Sequence, residues 1–260
     1  MTPSPRPEDD SVEIAAPSGE RPLTIVSILP DLLNTNGDAA NARVLAQRAR
    51  WSGHDAEVVE VRTRADLPAS VDAVVIGSGS DSHLETARDV LLTMVAELRA
   101  WTTAGVPILA VGTGWELLSW GIELPGGVVV EGLGLVAGRA VPRATRATDD
   151  LVVASKYGRL VGFENHARDY VGAEGSRLGR VTYGTGNGQG TEGLVMGDLV
   201  ATHLHGPVLA RNPGLADHLL GAALARRGVA YTPGIRTQPV DDMALAARNQ
   251  VAARLSLPND

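Results

Sequence analysis

Apolar and polar positions follow one another along the first half of the chain in a repeated strand-then-helix rhythm. Residues 23–29 form a short apolar run suited to a strand buried on both faces, and 56–61, 71–76 and 106–111 read as further strands. Asp38 is placed to cap a helix whose inward stripe is Ala42, Leu45, Ala46 and Ala49, with Gly53 ending it. A helix over 84–100 sets Leu91, Leu92, Val95 and Leu98 on one side, and a short helical segment covers 115–118. This alternation predicts an α/β fold with a mostly parallel sheet, helices on both faces and right-handed crossovers.

From Gly126 the texture changes to glycine-rich stretches. Residues 127–130, 151–154, 159–163, 180–183 and 194–202 read as added short antiparallel strands. A helix from Pro213 to about Arg226 follows, with Pro213 suited to its first turn, and 244–255 is helix-prone. Residues 1–21 carry Pro3, Pro5, Pro7 and Pro17 beside Glu8, Asp9 and Asp10, with little bulky apolar content, and read as a disordered tail. The expected organisation is therefore a tail (1–21), one domain (22–228) and a C-terminal extension (229–260) that is either a surface helix or a partner-docking arm.

Composition narrows the function classes. Of 260 residues, 44% are hydrophobic and 20% charged, an ordinary globular mix, and the net charge of −7 lacks the basic footprint of a nucleic-acid binder. No apolar stretch is long enough to span a bilayer and no secretory leader is evident, so a cytoplasmic location is expected. Cysteine is absent, which removes disulfides, thiolate metal sites and any cysteine nucleophile. No His, Asp and Glu cluster has metal-ligand spacing, and neither metal nor cofactor is expected.

Two glycine turns stand at strand ends, where open α/β folds place their sites. One is Gly112-Thr113-Gly114, a strand-to-helix turn of the nucleophile-elbow kind, in which the backbone N–H of Thr113 is suited to hold an oxyanion. The other is Gly77-Ser78-Gly79 on a neighbouring strand, whose alternative reading is a close helix-to-sheet contact. His205, fixed by Gly206 and Pro207, is a candidate base or a hydrogen-bonded structural histidine.

Several motifs occur together and in order between about 23 and 220: Leu29-Pro30-Asp31-Leu32-Leu33-Asn34, Gly37-Asp38 with Asn41, and Gly162-Phe163-Glu164-Asn165-His166. They continue with Gly184 to Asn187, Thr191-Glu192-Gly193, Leu204-His205-Gly206-Pro207 and Arg211-Asn212-Pro213. This combination resembles the GatD family, glutamine amidotransferase subunits similar to cobyric acid synthase amidotransferase domains, which pair with MurT. The resemblance implies a class I glutamine amidotransferase-like, flavodoxin-like fold. It also implies a two-subunit enzyme in which GatD hydrolyses glutamine and a Mur-ligase-like partner uses the ammonia to amidate a glutamate carboxylate of a peptidoglycan precursor.

Carried over by position, the family's base matches His205, its oxyanion turn Gly77, Ser78 and Gly79, and its glutamine-pocket arginine Arg146, whose alternative is a solvated surface charge. The nucleophilic cysteine matches Gly112. Thr113 stands where a small residue is usual and Glu116 where a glutamine is usual, so the change extends beyond one position. Thr113 is expected to point its side chain away from His205, while Ser78 and Ser80 lack an obvious base. Glu164-Asn165-His166 reads either as a hydrogen-bonded turn or as a retained ligand site.

Three functions follow: a non-hydrolytic subunit of a MurT-like ligase, a glutaminase with an unrecognised nucleophile, or a small-molecule binding module, glutamine being one candidate ligand.

Overall fold

A computed structural model describes residues 21–259. The expected tail lies outside the described residues except for Arg21, whose guanidinium pairs with the buried Asp72 at 2.6 Å.

In chain order the elements are β1 (Leu23–Ile28), α1 (Ala40–Trp51), β2 (Ala56–Val61), β3 (Ala73–Ile76), α2 (Leu84–Thr93) and α3 (Val95–Thr103). Next come β4 (Ile108–Val111), α4 (Thr113–Leu118), β5 (Gly121–Glu123), β6 (Val129–Glu131), β7 (Arg139–Ser155) and β8 (Gly158–Val171). The chain continues through β9 (Gly179–Tyr183), β10 (Thr191–Glu192), β11 (Leu194–Met196) and β12 (Leu199–Thr202). It closes with α5 (Val208–Arg211), α6 (Pro213–Ala225) and α7 (Gln238–Arg254).

The first sheet has the order β11-β12-β4-β3-β1-β2. Its pairings are parallel except for β11, which runs antiparallel to β12. Residues in β1 alternate between two cores: Val26 and Ile28 pack with Ile76, Leu91 and Trp115 on one side. Leu23 and Ile25 pack with Leu45, Val111 and Leu219 on the other. Burial on both faces explains why these strands read as unbroken apolar runs, each large aliphatic side chain contributing about 1.5–3 kcal/mol.

The expected α/β architecture is present, with local differences. The helix over 84–100 is two helices that break at Met94 (φ −119°, ψ 18°). Its buried line is Ala87, Leu91, Met94 and Leu98, a three-and-four stripe that continues across the break, whereas Leu92 lies off that stripe and is 39% exposed. The stretch 194–202 is a hairpin, turned at Gly197 with φ 59°. Asp38 does not cap α1; the N-cap position is Ala39, without a side-chain bond, since the Asp38 carboxylate is engaged elsewhere. The stripe Ala42, Leu45, Ala46 and Ala49 is buried as expected.

The largest difference is in the second sheet, ordered β10-β9-β7-β5-β6 with β8 paired to β7. The short strands expected at 151–154 and 159–163 are the ends next to the turn of a hairpin whose arms are 17 and 14 residues long. One face of β7 meets solvent, so Arg, Thr and Asp dilute its apolar signal, and the register shifts between Pro142 and Ala147. Residues 164–166 accordingly lie in β8 and do not form a turn. Among the described residues no helix is long and apolar enough to cross a membrane.

Helix α7 is tied to the rest through Arg48 on α1, which is 2% exposed. Its guanidinium donates to Asp217 of α6 (2.6 Å) and to Asp241 of α7 (2.6 Å). Replacing Arg48 by Met leaves two half-buried carboxylates without their shared buried cation, and a loss of about 3 kcal/mol is expected. The urea unfolding midpoint measures it; an unchanged midpoint would show that this junction contributes nothing.

Candidate active site

Parallel pairing of β1, β3, β4 and β12 brings their carboxyl ends to one edge, and the residues that follow them meet there. After β4 the chain turns at Gly112 with φ 51° and ψ −119°, then enters α4. A side chain is strained in this conformation, and glycine adopts it without a Cβ penalty. The turn after β3 packs as closely: a Cβ on Gly77 would stand 2.1 Å from the Leu33 carbonyl oxygen. Its own carbonyl accepts the Gly114 N–H (3.0 Å), locking the two glycine turns together.

His205 follows β12 and is held from both sheets. Its backbone N–H donates to the Phe163 carbonyl of β8 (2.8 Å), and its ring packs 5.7 Å from that of Phe163. Nδ1 lies 3.2 Å from Oδ2 of Asp38, while Nε2 has no hydrogen-bond partner. Asp38 is fully buried, and the same Oδ2 accepts the Ser78 N–H at 3.2 Å. One carboxylate therefore orients the histidine and fixes the glycine turn. Such an arrangement is able to hold an imidazole in the tautomer that exposes Nε2 to a reacting group.

Gly112 carries no side chain. The nearest hydroxyl is that of Ser78, which accepts the Thr113 N–H at 3.2 Å and lies 3.3 Å from Thr113 Oγ1. Thr113 donates its own hydroxyl to the Gly79 carbonyl (2.9 Å). The backbone N–H of Ser78 is held by Asp38 and that of Thr113 by Ser78, so both amides are already engaged.

A polar cavity of about 280 Å³ opens over these groups, lined by Ser78, Gly79, Gly112, Thr113, Arg146 and His205 among others. Gly77 lies beneath it and contributes only backbone contacts. Arg146 is exposed and sits beside the shift in β7, where it donates to the Asn165 side chain (2.7 Å) and carbonyl (3.2 Å).

The buried cation at the cavity is instead Arg168, which the sequence reading missed. It bonds both oxygens of Glu116 (2.8 and 3.0 Å) and reaches Asp81 (2.8 Å). Burial opposes its charge, but the Glu116 and Asp81 carboxylates outweigh that effect and raise its pKa. Hydrogen bonding from Arg168 in turn holds Asp81 below the usual carboxylate range. A period-two signal marks this face: Glu164, His166, Arg168 and Tyr170 alternate along β8 and are all buried.

These geometries can be set beside known proteins. A profile of the CobB/CobQ-like glutamine amidotransferase domain matches residues 24–213. Over 216 residues the chain is 34% identical to the GatD subunit of the glutamine-hydrolyzing lipid II isoglutaminyl synthase of Staphylococcus aureus (strain N315), covering 81% of this chain and 88% of that protein. The chain belongs to the GatD family of CobB/CobQ-like glutamine amidotransferases. The corresponding subunit of Streptococcus pneumoniae (strain ATCC BAA-255 / R6) is 27% identical over 212 residues, covering 79% of this chain and 82% of that one. A solved structure described as a glutamine amidotransferase superposes with a TM-score of 0.54 at 21% identity, over 78% of this chain and 99% of its own, which shows the shared fold.

In this GatD-family chain most motif residues serve architecture. Glu164 accepts the N–H groups of Thr185 and Gly186 (2.7 and 2.9 Å) and faces His166 Nε2 (3.1 Å). Asn187 exchanges two bonds with Gly193, and Glu192 accepts the Thr202 hydroxyl and the His203 N–H. Asn212 bridges Val161 and Val208, and Asn41 ties Asp38 to Leu209. Asp38 and His205 meet beside Gly112, and Asn165 and His166 line the same cavity.

Behind the cavity the rings of His166 and His203 stack at 4.2 Å, and Trp115 packs 4.8 Å from His203. Burial, and after it the facing His166, lower the pKa of His203 despite the nearby Glu192. His218 is lowered as well, by burial and then by Lys156. Both folded-state values lie below the unfolded value of about 6.5. Their contribution to stability is therefore complete above that pH and is lost as pH falls through it toward the folded values. The urea unfolding free energy is expected to be level above about pH 7 and to decline below about pH 6.5. A profile that rises on acidification would contradict the buried, neutral state of His203.

Proposed function

We propose that this chain is a non-hydrolytic GatD-type subunit that binds a MurT-like Mur ligase in the cytoplasm and leaves the ligase to draw on free ammonia. The relatives named above are subunits of a lipid II isoglutaminyl synthase, which supports a ligase partner acting on a peptidoglycan precursor. The observation that carries the non-hydrolytic reading is Gly112: the elbow keeps its backbone angles but has no atom to attack an amide carbon. Loss of such a nucleophile lowers turnover on the order of a million-fold. Both engaged amides agree with this reading, since neither is free to receive an oxyanion.

A hydroxyl substitute finds little support. Ser78 Oγ is directed to the Thr113 amide, and the His205 Nε2 that would have to deprotonate it has no hydrogen-bond partner. Glutamate release from glutamine, measured with the chain alone and with the co-purified ligase, is expected to match the His205→Ala background. Robust release that disappears in His205→Ala would sink the proposal.

A second reading, a small-molecule binding module, draws on the same unpartnered Nε2 of His205, a buried polar atom at the edge of a polar cavity. Titration calorimetry with glutamine is expected to give saturable heat that Arg146→Ala weakens. A flat titration would remove this reading.

A further inference from the structure

We infer that Ser78 and Gly112 form one coupled unit in which the Ser78 side chain fills the space of the missing elbow side chain, so that the silent state is held by two residues. This inference rests on the non-hydrolytic reading of Gly112. An ideal Cβ on Gly112 would stand 2.6 Å from Ser78 Oγ, 2.9 Å from Ser78 Cβ and 2.7 Å from His205 Cε1. Each separation is shorter than carbon contacts allow, so something must move before any side chain is accommodated.

The neighbours differ in their freedom. His205 is buried and held by Asp38, by the Phe163 carbonyl and by the Phe163 ring. The Ser78 hydroxyl can rotate away, with loss of its bond from the Thr113 N–H. Its Cβ cannot, because the Ser78 backbone donates to Asp38 and its carbonyl accepts the Thr35 N–H at 2.9 Å. A rotamer change therefore removes one short contact and leaves the other. Only deletion of the whole Ser78 side chain clears the position on that side and also frees the Thr113 amide.

Restoring a side chain at the elbow is then a two-residue change. Gly112→Cys alone places its Cβ and thiol against Ser78, whereas Ser78→Gly with Gly112→Cys removes both Ser78 contacts and leaves the close approach to His205 Cε1, which is common to both backgrounds. In that double variant the thiol sulfur, its proton passed to His205, can add to the amide carbon of glutamine. The carbon–nitrogen bond breaks, ammonia leaves with the proton from His205, and water cleaves the resulting thioester to give glutamate.

The test is a double-mutant cycle on the full chain, with Ser78→Gly, Gly112→Ala, Gly112→Cys and the two combinations, read first by urea unfolding. Any Cβ-bearing residue at φ 51° is strained, and that cost is common to both backgrounds and cancels in the cycle. The substitution at 112 is expected to lower the folding equilibrium constant at least about tenfold more when Ser78 is present than in the Ser78→Gly background. Additive effects for both Ala and Cys would overturn the inference. If Gly112→Cys fails to fold while its Ser78→Gly combination folds, the coupling is shown directly, and the Ala pair gives the same comparison with a smaller side chain. Glutamate release by the unaltered chain would instead defeat the non-hydrolytic reading, whatever the cycle returns.

Discussion

The buried carboxylate of Asp38 fastens three separate strand ends into one site. It lies beyond β1, accepts the N–H of Ser78 after β3 and faces Nδ1 of His205 after β12, with separations of 40 and 167 residues along the chain. Asp38 is fully buried and both contacts fall on Oδ2, so that single oxygen defines where the three segments sit, while Oδ1 has no hydrogen-bond partner. Asn41 then fixes the loop by bonding the Asp38 carbonyl and the Leu209 N–H. The parallel sheet brings the strand ends to one edge, and Asp38 sets their relative positions there.

The form of a site assembled in this way is set by backbone and packing and does not depend on a side chain at Gly112. Gly112 has the angles of a strand-to-helix elbow, the histidine has an orienting carboxylate, and the glycine turns pack closely. A serine side chain stands where an elbow side chain would be, and its hydroxyl accepts the nearest amide N–H. Around it, Glu116 has a buried partner in Arg168, which also reaches Asp81. Breaking a buried pair of this kind typically costs about 3–5 kcal/mol, so the cavity wall is structurally committed.

The motif residues illustrate why family membership and activity are separate questions. Glu164, Asn187, Glu192 and Asn212 are buried and direct their hydrogen bonds to backbone groups of neighbouring loops and strands. Selection for the fold alone is sufficient reason for a chain to carry them. The few positions that face Gly112 bear on its chemistry, and the many that do not bear on the fold.

Much of the first sheet was legible because its strands are buried on both faces and its turns are marked by glycine, both of which are local signals. The helix α1 stripe was legible for the same reason. The long β7–β8 hairpin was not, since Arg139–Ser155 has a solvated face and a register shift that hide its continuity. Glycine at 112 and the absence of cysteine followed from the sequence alone and already excluded thiol chemistry. That Asp38 serves His205 instead of a helix cap, that Arg168 and not Arg146 is the buried cation, and that Ser78 fills the elbow were decided only by tertiary structure. These are contacts between residues far apart in the chain, set by strand order and packing, and no local pattern of residue types encodes them.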